Sequence, residues 1–169
     1  MNTLEGIKKK IIILIVNKVL CGTHFFGIKQ KLLNRCEGIS IGKGTKIVSP
    51  IHFPRMCQLK IGADCWIGRD FTLEGNGCVC IGDNCDLAPN VVCVTGSHII
   101  GNKNRRAGEG FNGKIQIGNG AWIGTRTLIM PNIEVEDSVV IGAGSNVTKN
   151  LKSDGVYVGN PAKRIRNLD

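Results

Sequence analysis

Ile117-Gly-Asn-Gly-Ala-Trp, Ile123-Gly-Thr-Arg-Thr-Leu, Ile129-Met-Pro-Asn-Ile-Glu, Val135-Glu-Asp-Ser-Val-Val, Ile141-Gly-Ala-Gly-Ser-Asn and Val147-Thr-Lys-Asn-Leu-Lys152 follow one another without a break. Every unit opens on Ile or Val, and its fifth residue (Ala121, Thr127, Ile133, Val139, Ser145, Leu151) is small or aliphatic. A period of six matches neither a helix face nor the two-residue alternation of a plain hairpin. It matches a solenoid of short strands, in which each turn stacks on the last and buries its β-branched openers. Gly, Asn and Asp gather where corners fall, because they tolerate left-handed dihedrals. A β-sandwich with irregular strands would not keep six unbroken hexads.

The same unit recurs earlier, opening at Ile41, Ile61, Ile67, Ile81 and Leu87. Ile41, Ile61 and Ile81 are twenty residues apart, two more than three hexads, so extra residues bulge at corners such as the one within Leu73–Cys80. The reading divides the chain into residues 1–38, a solenoid over 39–152, and a basic tail over 153–169. An insertion over 99–114 carries no hexad and is polar and basic; insertions of this kind at a solenoid corner often build a binding face. Residues 1–38 differ in kind. Asn2 with Glu5 suggests a capping box for a short helical segment, and Lys8-Lys9-Lys10 precede an apolar run from Ile11 to Val16. That run is too short and broken to span a bilayer. It suits helices capping the end of the solenoid, or a basic apolar segment resting on the inner membrane face.

The net charge of +9 suggests an anionic partner, but no aromatic-interleaved basic motif or zinc-finger spacing points to nucleic acid. Eight cysteines could indicate disulfides or metal. Cys57, Cys65 and Cys85, however, stand at fifth positions, where a free thiol is a small buried apolar group. The histidines are His24, His52 and His98. His98 stands at the mouth of the insertion, where a general base would be held by a rigid wall under a movable cover.

The hexads together with Thr95-Gly-Ser-His98, Ala121-Trp-Ile-Gly124, Ile141-Gly-Ala-Gly-Ser145, Val147-Thr-Lys149 and Gly159-Asn-Pro-Ala-Lys-Arg-Ile-Arg166 resemble the hexapeptide-repeat acyltransferases. The nearest subgroup is the galactoside and maltose O-acetyltransferases and the acetyltransferases of exopolysaccharide synthesis. The resemblance implies an all-β solenoid, a left-handed parallel β-helix, forming a homotrimer with active sites between neighbouring subunits. It implies acetyl-CoA as donor, a sugar or glycan precursor as acceptor, no metal, and His98 as catalytic base. It places Thr125 and Ala143 along the pantetheine arm, Thr148 and Lys149 near the adenine end, and Lys163 and Arg166 at the phosphates. Asn76 and Asn84 are expected to face the acceptor, and Glu109, the one acid of the insertion, to orient His98. An intracellular donor and reduced cysteines suggest the cytoplasm. Three other readings stay open: an N-acetyltransferase for an amino sugar or sugar nucleotide, a non-catalytic β-solenoid binding protein, and a zinc enzyme like the γ-class carbonic anhydrases. The last needs three converging histidines, and His24 is expected outside the solenoid.

Overall fold

The computed structural model describes residues 3–169. Two helices, α1 (Thr3–Lys18) and α2 (Phe26–Leu33), precede strands of two to six residues. Most of these strands stack into the three faces of a prism. Face one joins Ile39–Ile41, Gln58–Ile61, Cys78–Ile81, Lys114–Ile117 and Glu134–Val135. Face two joins Lys46–Ile47, Trp66–Ile67, Asp86–Leu87, Trp122–Ile123, Val140–Ile141 and Gly155–Val158. Face three joins Ile51–His52, Phe71–Glu74, Val92–Val94, Leu128–Ile129 and Asn146–Val147. Pairing within each of these stacks is parallel and in register.

The register converts the hexad into a core. On face one, Ile41, Ile61, Ile81, Ile117 and Val135 form one column; on face two, Ile47, Ile67, Leu87, Ile123, Ile141 and Tyr157 form another. All of these are buried. Fully burying each aliphatic opener contributes about 1.5–3 kcal/mol. The fifth positions are buried as well, Cys65, Cys85, Ala121 and Val139 among them. The fourth residue of the hexad makes the corner. Asp64, Asp70, Asn84, Asn90, Arg126, Asn132 and Ser138 have φ between +53° and +63°, in the left-handed region that Asn, Asp and Gly enter most readily. Arg126 and Ser138 are the departures from that preference. All eight cysteines are free thiols, and burial pushes that of Cys93 up to about 12.

Two boundaries differ from the sequence expectation. The insertion is an antiparallel hairpin of Gly96–Ile100 with Ala107–Asn112, and Lys114 already belongs to face one. Its strands lack hexads because they leave the prism and pair only with each other. The solenoid also does not stop at residue 152. Val156 and Tyr157 pair with Val140 and Ile141, and Lys163–Asn167 folds back antiparallel on Gly155–Val158. The hexad is lost there because the antiparallel return makes its own turn.

The proposed partner of Glu5 in a capping box, Asn2, lies outside the described residues; the Glu5 carboxylate accepts from Lys8 Nζ at 3.3 Å. The helices close the base of the prism, where the first strand of each face exposes unpaired backbone groups. Asn34 bonds both the N–H and the carbonyl of Ile41, at 2.7 and 3.0 Å. Asn17 does the same for Ile51, at 3.0 and 2.7 Å. On face two, the buried Lys29 Nζ donates to the Ile47 carbonyl at 3.0 Å and to Gly22 O at 2.6 Å. Desolvation lowers its pKa. At least one polar helix side chain thus serves the bottom strand of each face, Gln30 joining Asn34 at the Ile41 carbonyl, while Ile12, Val16 and Leu33 complete the core.

Candidate active site

The hairpin leaves the edge between faces three and one. Thr95 anchors its foot: its buried hydroxyl donates to Glu74 O at 2.9 Å and accepts from Gly77 N–H at 3.0 Å, while its carbonyl accepts from Gly113 N–H at 2.6 Å. Gly75, with φ +89°, passes so close to Gly96 that a Cβ would collide with the Gly96 backbone. His98 stands exposed on the rising strand, opposite Gly110. A Cβ on Gly110 would lie 3.6 Å from His98 Nε2 and 3.7 Å from Cδ2, so the ring rests over the bare glycine backbone. No hydrogen bond holds the imidazole among the described residues, which leaves both nitrogens open to a ligand or a neighbouring chain.

Asn76 sits at the hairpin foot, its N–H donating to Asn112 Oδ1 at 2.8 Å. A concavity of about 460 Å³ opens beside it, lined by Gln58, Asn76, Cys78, Asn112, Lys114 and Asn132. The sequence motifs do not flag Asn112 or Asn132. Asn112 carries only the signal of an Asn just before the hexads resume, and Asn132 that of an Asn at the left-handed fourth position of the hexad opening at Ile129.

Asn84, expected to face the acceptor, and Glu109, expected to orient His98, both stand apart from the His98 ring within the chain. Asn84 makes a corner between faces one and two, a different edge, with its N–H bonded to Ala63 O at 2.9 Å. Glu109 lies at a register shift, where the two residues 108 and 109 stand across from the single residue 99. It is exposed and makes no hydrogen bond or ion pair with His98 within the chain. The shift displaces its side chain from the His98 pairing.

The residues expected along a CoA molecule fall into three groups. Thr125 and Ala143 lie on the edge between faces two and three, stacked above Pro89. Thr125 Oγ donates to Pro89 O at 2.6 Å and its carbonyl accepts from Gly144 N–H at 2.8 Å. Ala143 is exposed, and its N–H has no acceptor among the described residues. Arg126 adds a cation to this corner that the motifs do not mark, although an Arg at a left-handed position is itself a signal. Thr148 and Lys149 are exposed on the hairpin's own edge. Lys163 and Arg166 are exposed on the returning strand at the far end of face two. Between them, Arg164 is occupied with Ser153 O and Asp154 O, at 2.9 and 2.6 Å, and lies over the Tyr157 ring.

Trp66 packs edge-on against Phe26 of α2, whereas Trp122 is 59% exposed on face two. His52 pairs with Asp70 at 3.3 Å. Among the described residues, no three His, Cys, Asp or Glu side chains converge as metal ligands.

This fold and its repeats define a class, the left-handed parallel β-helix built of hexapeptide repeats. A family profile described as bacterial transferase hexapeptide (six repeats) matches residues 114–149. Galactoside O-acetyltransferase of Escherichia coli K12 is 33% identical over 130 residues, covering 77% of the chain and 64% of the relative. The chain thus spans slightly less than two thirds of that protein's length. WcaF of Escherichia coli K12, named provisionally as a colanic acid biosynthesis acetyltransferase, is 31% identical over 140 residues, covering 81% of the chain and 74% of the relative. The solved structure of a galactoside acetyltransferase in complex with coenzyme A superposes over 100% of the chain and 84% of its own, with TM-score 0.83 and 26% identity. The chain belongs to the hexapeptide-repeat acetyltransferase family.

Proposed function

We propose that the protein is an acetyl-CoA-dependent O-acetyltransferase that modifies a hydroxyl of a sugar or glycan precursor. It works as a homotrimer with His98 as general base, in the cytoplasm where acetyl-CoA is made. The observation that carries this reading is the separation of the candidate groups. His98, Thr148 and Lys149 stand on one edge of the prism; Thr125, Ala143 and Arg126 stand on another. No single chain brings the two edges together, but a neighbour related by a three-fold axis can set one edge against the other.

In such a crevice the Ala143 N–H, without an acceptor among the described residues, is a donor for the amide-rich pantetheine arm. Lys149, Lys163 and Arg166 supply cations for the pyrophosphate and 3′-phosphate, in keeping with the net charge of +9. The acceptor hydroxyl gives its proton to the His98 imidazole as its oxygen attacks the thioester carbonyl. The tetrahedral oxyanion collapses, the C–S bond breaks, and the imidazolium returns the proton to the departing thiolate. Proton and acyl group balance without a covalent enzyme intermediate. Asn76, Asn112, Lys114 and Asn132, around the concavity at the hairpin foot, are polar partners of the kind a sugar requires.

The test is release of CoA thiol from acetyl-CoA in the presence of sugars, sugar nucleotides and lipid-linked precursors, with thermal stabilisation by CoA alone as a companion. Acceptor-dependent thiol release supports the reading. No stabilisation by CoA would leave a non-catalytic solenoid as the better account.

A further inference from the structure

Helix α1 has two apolar faces and only one of them is used by the fold. Ile12 and Val16 pack into the core, and on the same side Lys9 Nζ donates to Cys57 O at 3.2 Å. On the opposite side, Leu4, Ile7, Ile11 and Leu14 recur at helical spacing and are 72%, 51%, 51% and 57% exposed. At 100° per residue, Lys8 borders this stripe on one side and Lys10 on the other, and Lys18 closes its end; all three are exposed. Glu5, the one acid of the helix, is engaged by Lys8. Phe25 and Ile28 add exposed apolar surface where α2 begins.

We infer that this face of α1 docks on an anionic lipid bilayer. Leu4, Ile7, Ile11 and Leu14 enter the boundary of the acyl region, and Lys8, Lys10 and Lys18 reach up to the lipid phosphates. Charge complementarity selects this occupant. An apolar strip bordered by ammonium groups mirrors the order of a headgroup layer, whereas a second copy meeting the same face would set Lys8 and Lys10 against their own kind. Among the described residues no helix is long and apolar enough to cross a membrane, so the contact is one of lying on the surface.

The placement has a consequence for the acceptor. Cys57, which receives Lys9, stands on the edge between faces three and one; Gln58 follows it, and Cys78 and Lys114 stack above Gln58 in register. The hairpin that carries His98 therefore leaves the same edge two strands higher, about 10 Å along the prism axis. Resting on the acetyl-transfer reading, this makes a hydroxyl on a lipid-anchored glycan the acceptor class best placed for His98.

The docking itself is tested without turnover. The full-length protein is sedimented with vesicles of phosphatidylcholine alone and of phosphatidylcholine with phosphatidylglycerol. The expected result is binding to the anionic vesicles, weakened by salt, and a loss of about tenfold or more on Ile7→Glu with Ile11→Glu. Both positions are half exposed, so the variant keeps its oligomeric state and its stabilisation by CoA. Absence of wild-type binding, equal binding by the variant, or dissociation of the oligomer in the variant would each overturn the proposal, the last assigning the face to a second copy. Failure of acceptor turnover would bear on the enzymatic reading only.

Discussion

His98 stands on a hairpin strand with its ring over Gly110, and this fixes what its removal should do. His98→Ala leaves the prism intact and removes the base, so kcat should fall by about 10²- to 10⁴-fold while KM for acetyl-CoA changes little. Steady-state kinetics of the purified variant measures both; an unchanged kcat would remove His98 from the mechanism. A second residue reports on acid stability. Glu136 is held below the usual glutamate range, first by the hydrogen bond from Lys152 at 2.6 Å and then by the Ser153 N–H at 3.0 Å. A lowered folded-state pKa means the contribution is complete above the unfolded value, about 4.3, and is lost as pH falls through the folded one. Thermal melts from pH 6 to pH 3 should therefore show a shallower acid decline in Glu136→Gln than in the parent. At this scale the sequence was legible where burial is local. Ile, Val and small residues at hexad positions one and five name their own environment. It was less legible around His98. Asn84 is only fourteen residues before it, yet a six-residue step carries the chain to another face. The position of Glu109 was not legible because a register shift between two strands is invisible in either strand alone.

Among the elements, the hairpin depends most on one side chain. Thr95 combines a hydroxyl that both donates and accepts with a β-branched body that fits the buried column. Thr95→Val keeps the shape, leaves Gly77 N–H without its acceptor and removes one of the two donors to Glu74 O, the residue-95 N–H staying in place. The expected cost is about 1–3 kcal/mol in global stability, with the larger effect on hairpin order. Denaturant titration together with hydrogen exchange at residues 96–112 checks it; a variant with parental exchange rates would show that the foot of the hairpin is held elsewhere. The hairpin itself was readable in the sequence only as a place where hexads fail. Its strands bury little and carry no period, so nothing in residues 99–114 declares an antiparallel pair or its register. The helices at the base were foreseeable as a cap. The means were not: Asn17, Lys29 and Asn34 each reaching the first strand of a different face is a long-range match that no local pattern encodes.

On the scale of the whole molecule, the prism is an arrangement of edges, and the candidate groups divide among them. The edge carrying the hairpin holds His98, the proposed base; the edge carrying Pro89, Thr125 and Ala143 holds the backbone N–H proposed to meet the thioester carrier. The account therefore requires two chains for one site, and subunit mixing measures this directly. His98→Ala and Ala143→Tyr are each expected to be inactive alone, the first without its base and the second with the pantetheine path blocked. Co-refolded in equal amounts, they should regain up to about a quarter of parental thiol-release activity, because random assembly pairs an intact His98 edge with an intact Ala143 edge at that frequency. A mixture as inactive as its components, from subunits shown to exchange, would contradict a site shared between neighbouring edges.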